Sequence, residues 1–145
     1  MNHYEHTQKS VFFRWIFMAI AILFWFIVWE SQFQIALMIF CVIILFIIYS
    51  FVSLSVVIDE EYLKIKFWYG IYKTKFVLNE ILSVKTVKNK WYYGWGIRVW
   101  FWPYMIIYNV SGFDAVELVT KDWKIYRIGS DDVIHLERKL SEKIG

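Results

Sequence analysis

Few residues of this chain have both the type and the spacing to do chemistry. Ser111, His135 and several aspartates supply the members of a Ser-His-Asp triad. A nucleophilic serine needs a sharp strand-to-helix elbow that exposes its oxygen, and Ser111 lacks that pattern. His135 falls off the apolar face of the last helical segment, so a hydrolytic site is not expected. His3 and His6 have a metal-ligand spacing, yet no third ligand is near, and they read as part of a solvated tail. Cys41 is the only cysteine. It sits in an apolar run where a thiol is inert, and one cysteine forms neither an intrachain disulfide nor a Cys-cluster metal site. Gly94 and Gly96 lie between strands, not before a helix, so they make no phosphate loop. Asp131 and Asp132 could hold a cation. At the start of a helix they read better as capping residues, because Ser130 or Asp131 can accept a free first-turn N–H. No catalytic residue, metal or cofactor is expected.

The remaining chemistry is electrostatic and interfacial. Residues 59–100 hold eight Lys/Arg against four Asp/Glu, residues 101–145 six against seven, and the whole chain carries +3. Lys64 and Lys66 alternate with apolar residues, as do Lys73 and Lys75, and all four share one side if a hairpin register pairs them. Beside an anionic leaflet each such lysine gains about 1 kcal/mol. The same four suit an ordinary solvated strand face equally well. A net +3 is too small for a nucleic-acid surface. Arg98 and Glu117 fall in predicted strands, where an ion pair is preferred over an anionic ligand held by Arg98. Between Trp91 and Tyr108, nine of 18 residues are aromatic. Trp100, Trp102 and Tyr104 are the densest part, and Pro103 favours a turn or edge there. Part of this segment is therefore expected at an interface, either the headgroup layer or the protein's own helices, with a Trp-rich core as the alternative.

The elements that position these residues follow from hydropathy. Of 145 residues 59% are hydrophobic and 20% charged, against about 25% charged in ordinary globular chains. One Pro and six Gly exclude collagenous and Pro/Gly-rich disordered chains. Two uncharged runs, Trp15–Trp29 and Ser31–Ile58, are separated by Glu30 alone. A bilayer core takes about 20 helical residues to cross. With Arg14 snorkelling, the first run extends to a helix over about 11–29, and the second gives one over about 35–52. Neither has a polar face, and so small a chain has no core to hide them. Phe24, Trp25, Phe26 and Trp29 stand where a signal peptide would need small residues, so an uncleaved transmembrane hairpin over 11–54 is expected. Lys9 and Arg14 precede it, Lys64, Lys66, Lys73 and Lys75 follow it, and its turn has no Lys or Arg. Both termini are therefore expected in the cytoplasm, with residues 1–10 a cytoplasmic tail.

Residues 55–145 read as one cytoplasmic domain. Alternation predicts about seven strands, beginning near Ser55–Ile58 and including a hairpin through Trp68-Tyr69-Gly70-Ile71. Val133, Leu136, Leu140 and Ile144 predict a final helix over 131–144. The implied class is membrane-anchored α+β: two transmembrane helices, then a small antiparallel β-barrel or sandwich capped by a C-terminal helix. Four blocks carry a resemblance. They are Tyr93-Gly94-Trp95-Gly96-Ile97-Arg98, Tyr108-Asn109-Val110-Ser111-Gly112, Ala115-Val116-Glu117-Leu118 and Tyr126-Arg127-Ile128-Gly129-Ser130-Asp131-Asp132. Together they resemble the bacterial pleckstrin-homology-like (PH-like) domain proteins, whose small members carry an N-terminal membrane hairpin. The resemblance implies a two-sheet barrel closed by a helix, and no catalytic residues. Trp123 departs from it, standing where a turn glycine is common. The function expected is non-enzymatic: a binding or scaffold module at the cytoplasmic membrane. Its partners would be the bilayer, anionic lipid headgroups, another membrane protein or a second copy of the chain. The alternative is an accessory subunit of a larger membrane complex that docks protein on its barrel.

Overall fold

The computed structural model describes residues 4–32, 34–67 and 72–145. In chain order they form β1 (Tyr4–Lys9), α1 (Val11–Glu30), α2 (Ile35–Tyr49), β2 (Ser53–Ile58), β3 (Tyr62–Phe67), β4 (Tyr72–Val77), β5 (Ile81–Lys88), β6 (Gly96–Phe101), β7 (Tyr104–Asn109), β8 (Asp114–Thr120), β9 (Ile125–Gly129) and α3 (Val133–Ile144). The class is α+β. A first sheet has the order β1-β2-β3-β4, a second the order β5-β8-β9-β7-β6. Neighbouring strands are antiparallel except β7 and β9, which run parallel. No ladder joins the two sheets among the described residues, so the expected barrel is not closed. The predicted turn at residues 68–71 lies outside the described residues.

The N-terminal segment is not a free tail. Residues 4–9 pair with β2 along their full length, from Tyr4↔Ile58 to Lys9↔Ser53. The Ser10 N–H then donates to the Val52 carbonyl at 2.9 Å. The helical hairpin is thus inserted between two strands that are hydrogen-bonded partners. Periodicity did not reveal β1, because its inward residues His6 and Gln8 are polar. The described residues hold nine strands where about seven were expected.

Ser10 starts α1, its Oγ accepting from the Phe13 N–H at 3.1 Å. At 1.5 Å per residue α1 is about 30 Å long and α2 about 22 Å. Among the described residues only α1 is long and apolar enough to cross a membrane; α2 has 15 residues and stops at Tyr49, short of the expected Val52. Chain geometry explains the difference: residues 50–52 turn to bring Val52 back to Ser10. Val28 is the one buried residue of α1 and Cys41 the one buried residue of α2. Trp15, Ile22, Trp25, Phe26 and Ile35 are each 60% or more exposed.

The domain core lies between the sheets. Leu54, Val56, Ile58, Leu63, Ile65 and Phe67 project from the first sheet onto Tyr108, Val116, Leu118 and Ile128 of the second. Leu136 and Leu140 of α3, both fully buried, close one flank of this sandwich. The helix starts at Val133 instead of Asp131. Asp132 takes the cap position without a side-chain cap bond. Instead, the Ser130 hydroxyl accepts from the Asp132 N–H at 3.0 Å.

Candidate functional site

Antiparallel pairing of β3 with β4 puts Lys64 opposite Lys75 and Lys66 opposite Lys73. All four lysines therefore project from one face, away from Leu63 and Ile65. Like charges directly opposite one another destabilise a strand pair. Lys64 is relieved by an ion pair to Asp59, and the Lys75 ammonium lies 5.0 Å from the centre of the Tyr62 ring. No ion pair to Lys66 or Lys73 occurs among the described residues. The row continues across the sheet through Ser55 and Thr7, whose hydroxyls are 2.7 Å apart.

The helix end of the domain lies beside this row. Lys9 pairs with Ser53, the residue after Val52, and Lys66 with Ser55. Phe51 packs on Phe67 at 6.0 Å, and Trp95 on Phe12 of α1 at 4.9 Å. At about 3.3 Å per residue, Lys9, Lys66 and Lys73 stand roughly 10 Å or less along the strands from where the helices enter. Arg14 is exposed in the first turns of α1.

The predicted aromatic segment divides. Trp100 is half-buried against Tyr93 at 5.0 Å and Tyr92 at 5.6 Å, and its indole N–H donates to the Trp102 carbonyl at 3.0 Å. Met105 is buried, whereas Phe101 is 78%, Trp102 90% and Tyr104 50% exposed. Trp123, in the turn before the neighbouring strand β9, is 79% exposed and has φ 61°. That left-handed conformation is one a glycine adopts without steric cost. These rings gather at the end of β6 farthest from Trp95 and the helices.

Most residues of the four blocks have structural work. Gly94, Gly96 and Gly112 have positive φ, and Gly96 packs against the Phe51 ring. Tyr108 is a core residue whose phenol is raised by burial and then by a hydrogen bond with Tyr72. Asn109 is buried; its side chain accepts from the Ser111 N–H at 3.2 Å and donates to the Gly112 carbonyl at 3.0 Å. It leans over Gly129, where a Cβ would meet Asn109 Oδ1 at 2.1 Å. Asp131 pairs with His6 at 2.5 Å, joining β1 to the start of α3. Burial, and next the Asp132 carboxylate, push the Tyr4 phenol up to about 12.

The expected Arg98–Glu117 pair does not form. The two stand in one row of the second sheet, with Arg127 and Ile107 between them. Arg127 takes Glu117 through Nε at 2.8 Å and Nη2 at 2.7 Å, and Lys85 adds a third contact at 2.9 Å. Arg98 instead donates to the Trp95 carbonyl at 3.2 Å. Burial opposes charging of Glu117, but the hydrogen bonds from Lys85 and Arg127 outweigh it and lower its pKa. The sequence places Arg127 in a strand and in the last block, but local pattern does not pair it with Glu117, because that pairing depends on the order of the strands.

The sandwich is open along the free edge of β4. A cleft of about 500 Å³ runs between β4 and the second sheet, lined by Thr74, Phe76, Ile106, Tyr108 and Tyr126, with two cations, Lys75 and Lys121, and two carboxylates, Glu80 and Asp122, also in its wall. Compared with family models, with curated proteins and with solved structures, the chain matches none.

Proposed function

We propose that the chain is a non-enzymatic, membrane-anchored PH-like binding module. Both of its helices enter the bilayer, and its domain is held at the cytoplasmic leaflet. The observation that carries this reading is the insertion of an apolar helical hairpin, exposed on nearly all sides, between the paired strands β1 and β2. Such a surface needs a cover. Because α1 leaves the domain and α2 returns to the same sheet, a crossing by α1 obliges α2 to cross back. The roughly 22 Å of α2 is then matched by its flanking turns and by local thinning of the bilayer. Cleavage after α1 would remove β1 from its sheet, which argues against a signal peptide. The two-sheet sandwich with a C-terminal helix on one flank supports the PH-like assignment. The excess of Lys and Arg beside the hairpin supports the cytoplasmic side.

In this reading Lys9, Arg14, Lys66 and Lys73 meet anionic headgroups. The test uses the full chain in nanodiscs, with Cys41→Ala and a fluorophore on Ser53→Cys. Spin-labelled headgroups should quench it more in anionic than in zwitterionic lipid, and the difference should vanish near 1 M salt, where the Debye length is about 3 Å. Equal quenching in both lipids would remove the leaflet contact. A second reading, the accessory subunit, is favoured by one observation. Phe101, Trp102 and Trp123 are exposed at the end of β6 remote from the helices, where a partner protein can reach them.

A further inference from the structure

The edge strand β4 combines three properties, and of its residues the leaflet reading uses Lys73 alone. Among the described residues it pairs only with β3, so the backbone groups on its other side have no ladder. The open cleft is lined by Thr74, Lys75, Phe76 and Val77 in succession. Consecutive strand residues face opposite sides of a sheet, so a cleft touching all four must run along the free edge. Inside it, Phe76 and Tyr126 stack edge-on at 4.6 Å, and the Tyr108 ring lies 6.4 Å from Phe76. On the outward side the same strand presents Lys73 and Lys75, each opposite another lysine of β3.

We propose that β4 accepts an added strand from a partner protein: an extended segment alternating acidic and apolar residues. Backbone pairing with β4 would complete its ladder. Acidic residues on the outward face would stand opposite Lys73 and Lys75, converting like-charge neighbours into opposite-charge ones. The alternate apolar side chains would then point inward, over Phe76 and Tyr126, and roof the cleft. Charge and cleft thus select the same phase of one pattern. The proposal rests on the domain being a binding module, and not on where its cations meet lipid. Lysines also protect edge strands from chance pairing. That role predicts no preference for a matched peptide, so the two are separable.

The probe is a fluorescein-labelled nine-residue peptide of alternating Glu and Val, titrated by anisotropy into the full chain in zwitterionic nanodiscs. Saturable binding is expected, weakened at least tenfold by Lys73→Gln with Lys75→Gln. With Lys73→Glu and Lys75→Glu the preference should invert, toward a peptide of alternating Lys and Val. Two further versions of the Glu–Val peptide are N-methylated on alternate residues, one in each phase. Strand addition predicts that one phase abolishes binding and the other leaves it. The variants change exposed residues, and unchanged near-UV circular dichroism establishes that they fold. Absence of saturable binding, or binding indifferent to both methylation phases, would overturn the proposal. If the peptide fails while the salt-sensitive headgroup quenching persists, the lysines serve the leaflet alone.

Discussion

At the scale of single residues, the four sequence blocks owe much of their composition to close packing and turn geometry. Gly129 shows this best. Asn109 Oδ1 would lie 2.1 Å from a Cβ there, and both ends of that amide are already fixed by Ser111 and Gly112. Gly129→Ala should therefore destabilise by about 1–3 kcal/mol, the usual cost of overpacking. Asn109→Ala loses the turn bonds but opens the space, so adding Gly129→Ala to it should cost much less than in the native background. Urea unfolding of the four proteins in detergent measures that coupling. Glu117 makes the second case. Its pKa is lower folded than unfolded, so its contribution is present above the ordinary carboxylate value of 4.5 and lost as pH falls through the lowered folded value. Glu117→Gln should cost on the order of 3 kcal/mol at pH 7, since it strips a buried pair of its charge. The difference from the native protein should shrink on acidification below pH 4.5. A difference that stays constant with pH would show that Glu117 acts by shape alone. The sequence marked Glu117 as charged within a strand, but not its partner: choosing Arg127 over Arg98 depends on strand order, which a local pattern does not encode.

At the scale of elements, strands β2 to β9 were legible, because each alternates or carries β-branched and aromatic residues. Strand β1 was not, because its inward side chains are polar and its partner lies 44 or more residues away. The same distance hid the insertion of the hairpin. This changes what the domain is. A fragment beginning at residue 59 lacks both β1 and β2, and with them Leu54, Val56 and Ile58, each 1–2% exposed. Burying such a side chain is worth about 1.5–3 kcal/mol. Losing three approaches the whole stability of a small domain, about 5–15 kcal/mol. The fragment 59–145 should show no cooperative thermal transition by circular dichroism, whereas the full chain in detergent should. A cooperative transition in the fragment would mean that the first sheet does not depend on β2. Aromatic composition alone could not separate Trp100 from Trp102. The register of β6 on β7 does so, setting Trp100 opposite Met105 and leaving Trp102 in the turn.

At the scale of the whole molecule, one connection governs the rest. Since β1 and β2 are partners, the segment before the helices and the domain after them share one side of any membrane the hairpin enters. In the proposed reading charge selects that side, because Lys9, Arg14, Lys66 and Lys73 lie at the domain end of the hairpin while the tip near Glu30 has no Lys or Arg. Hydropathy made the hairpin legible; the shortness of α2 was not, because the apolar run continues through the turn and into β2. We propose a bilayer hairpin with a cytoplasmic domain, and labelling of single cysteines in intact bacterial spheroplasts tests this topology. In a Cys41→Ala background, Gln32→Cys at the tip and Glu60→Cys in the domain are both exposed positions. A membrane-impermeant maleimide should label position 32 in intact spheroplasts, and position 60 only after lysis. Labelling of position 60 in intact spheroplasts, or protection of position 32 there, would rule out a hairpin with a cytoplasmic domain.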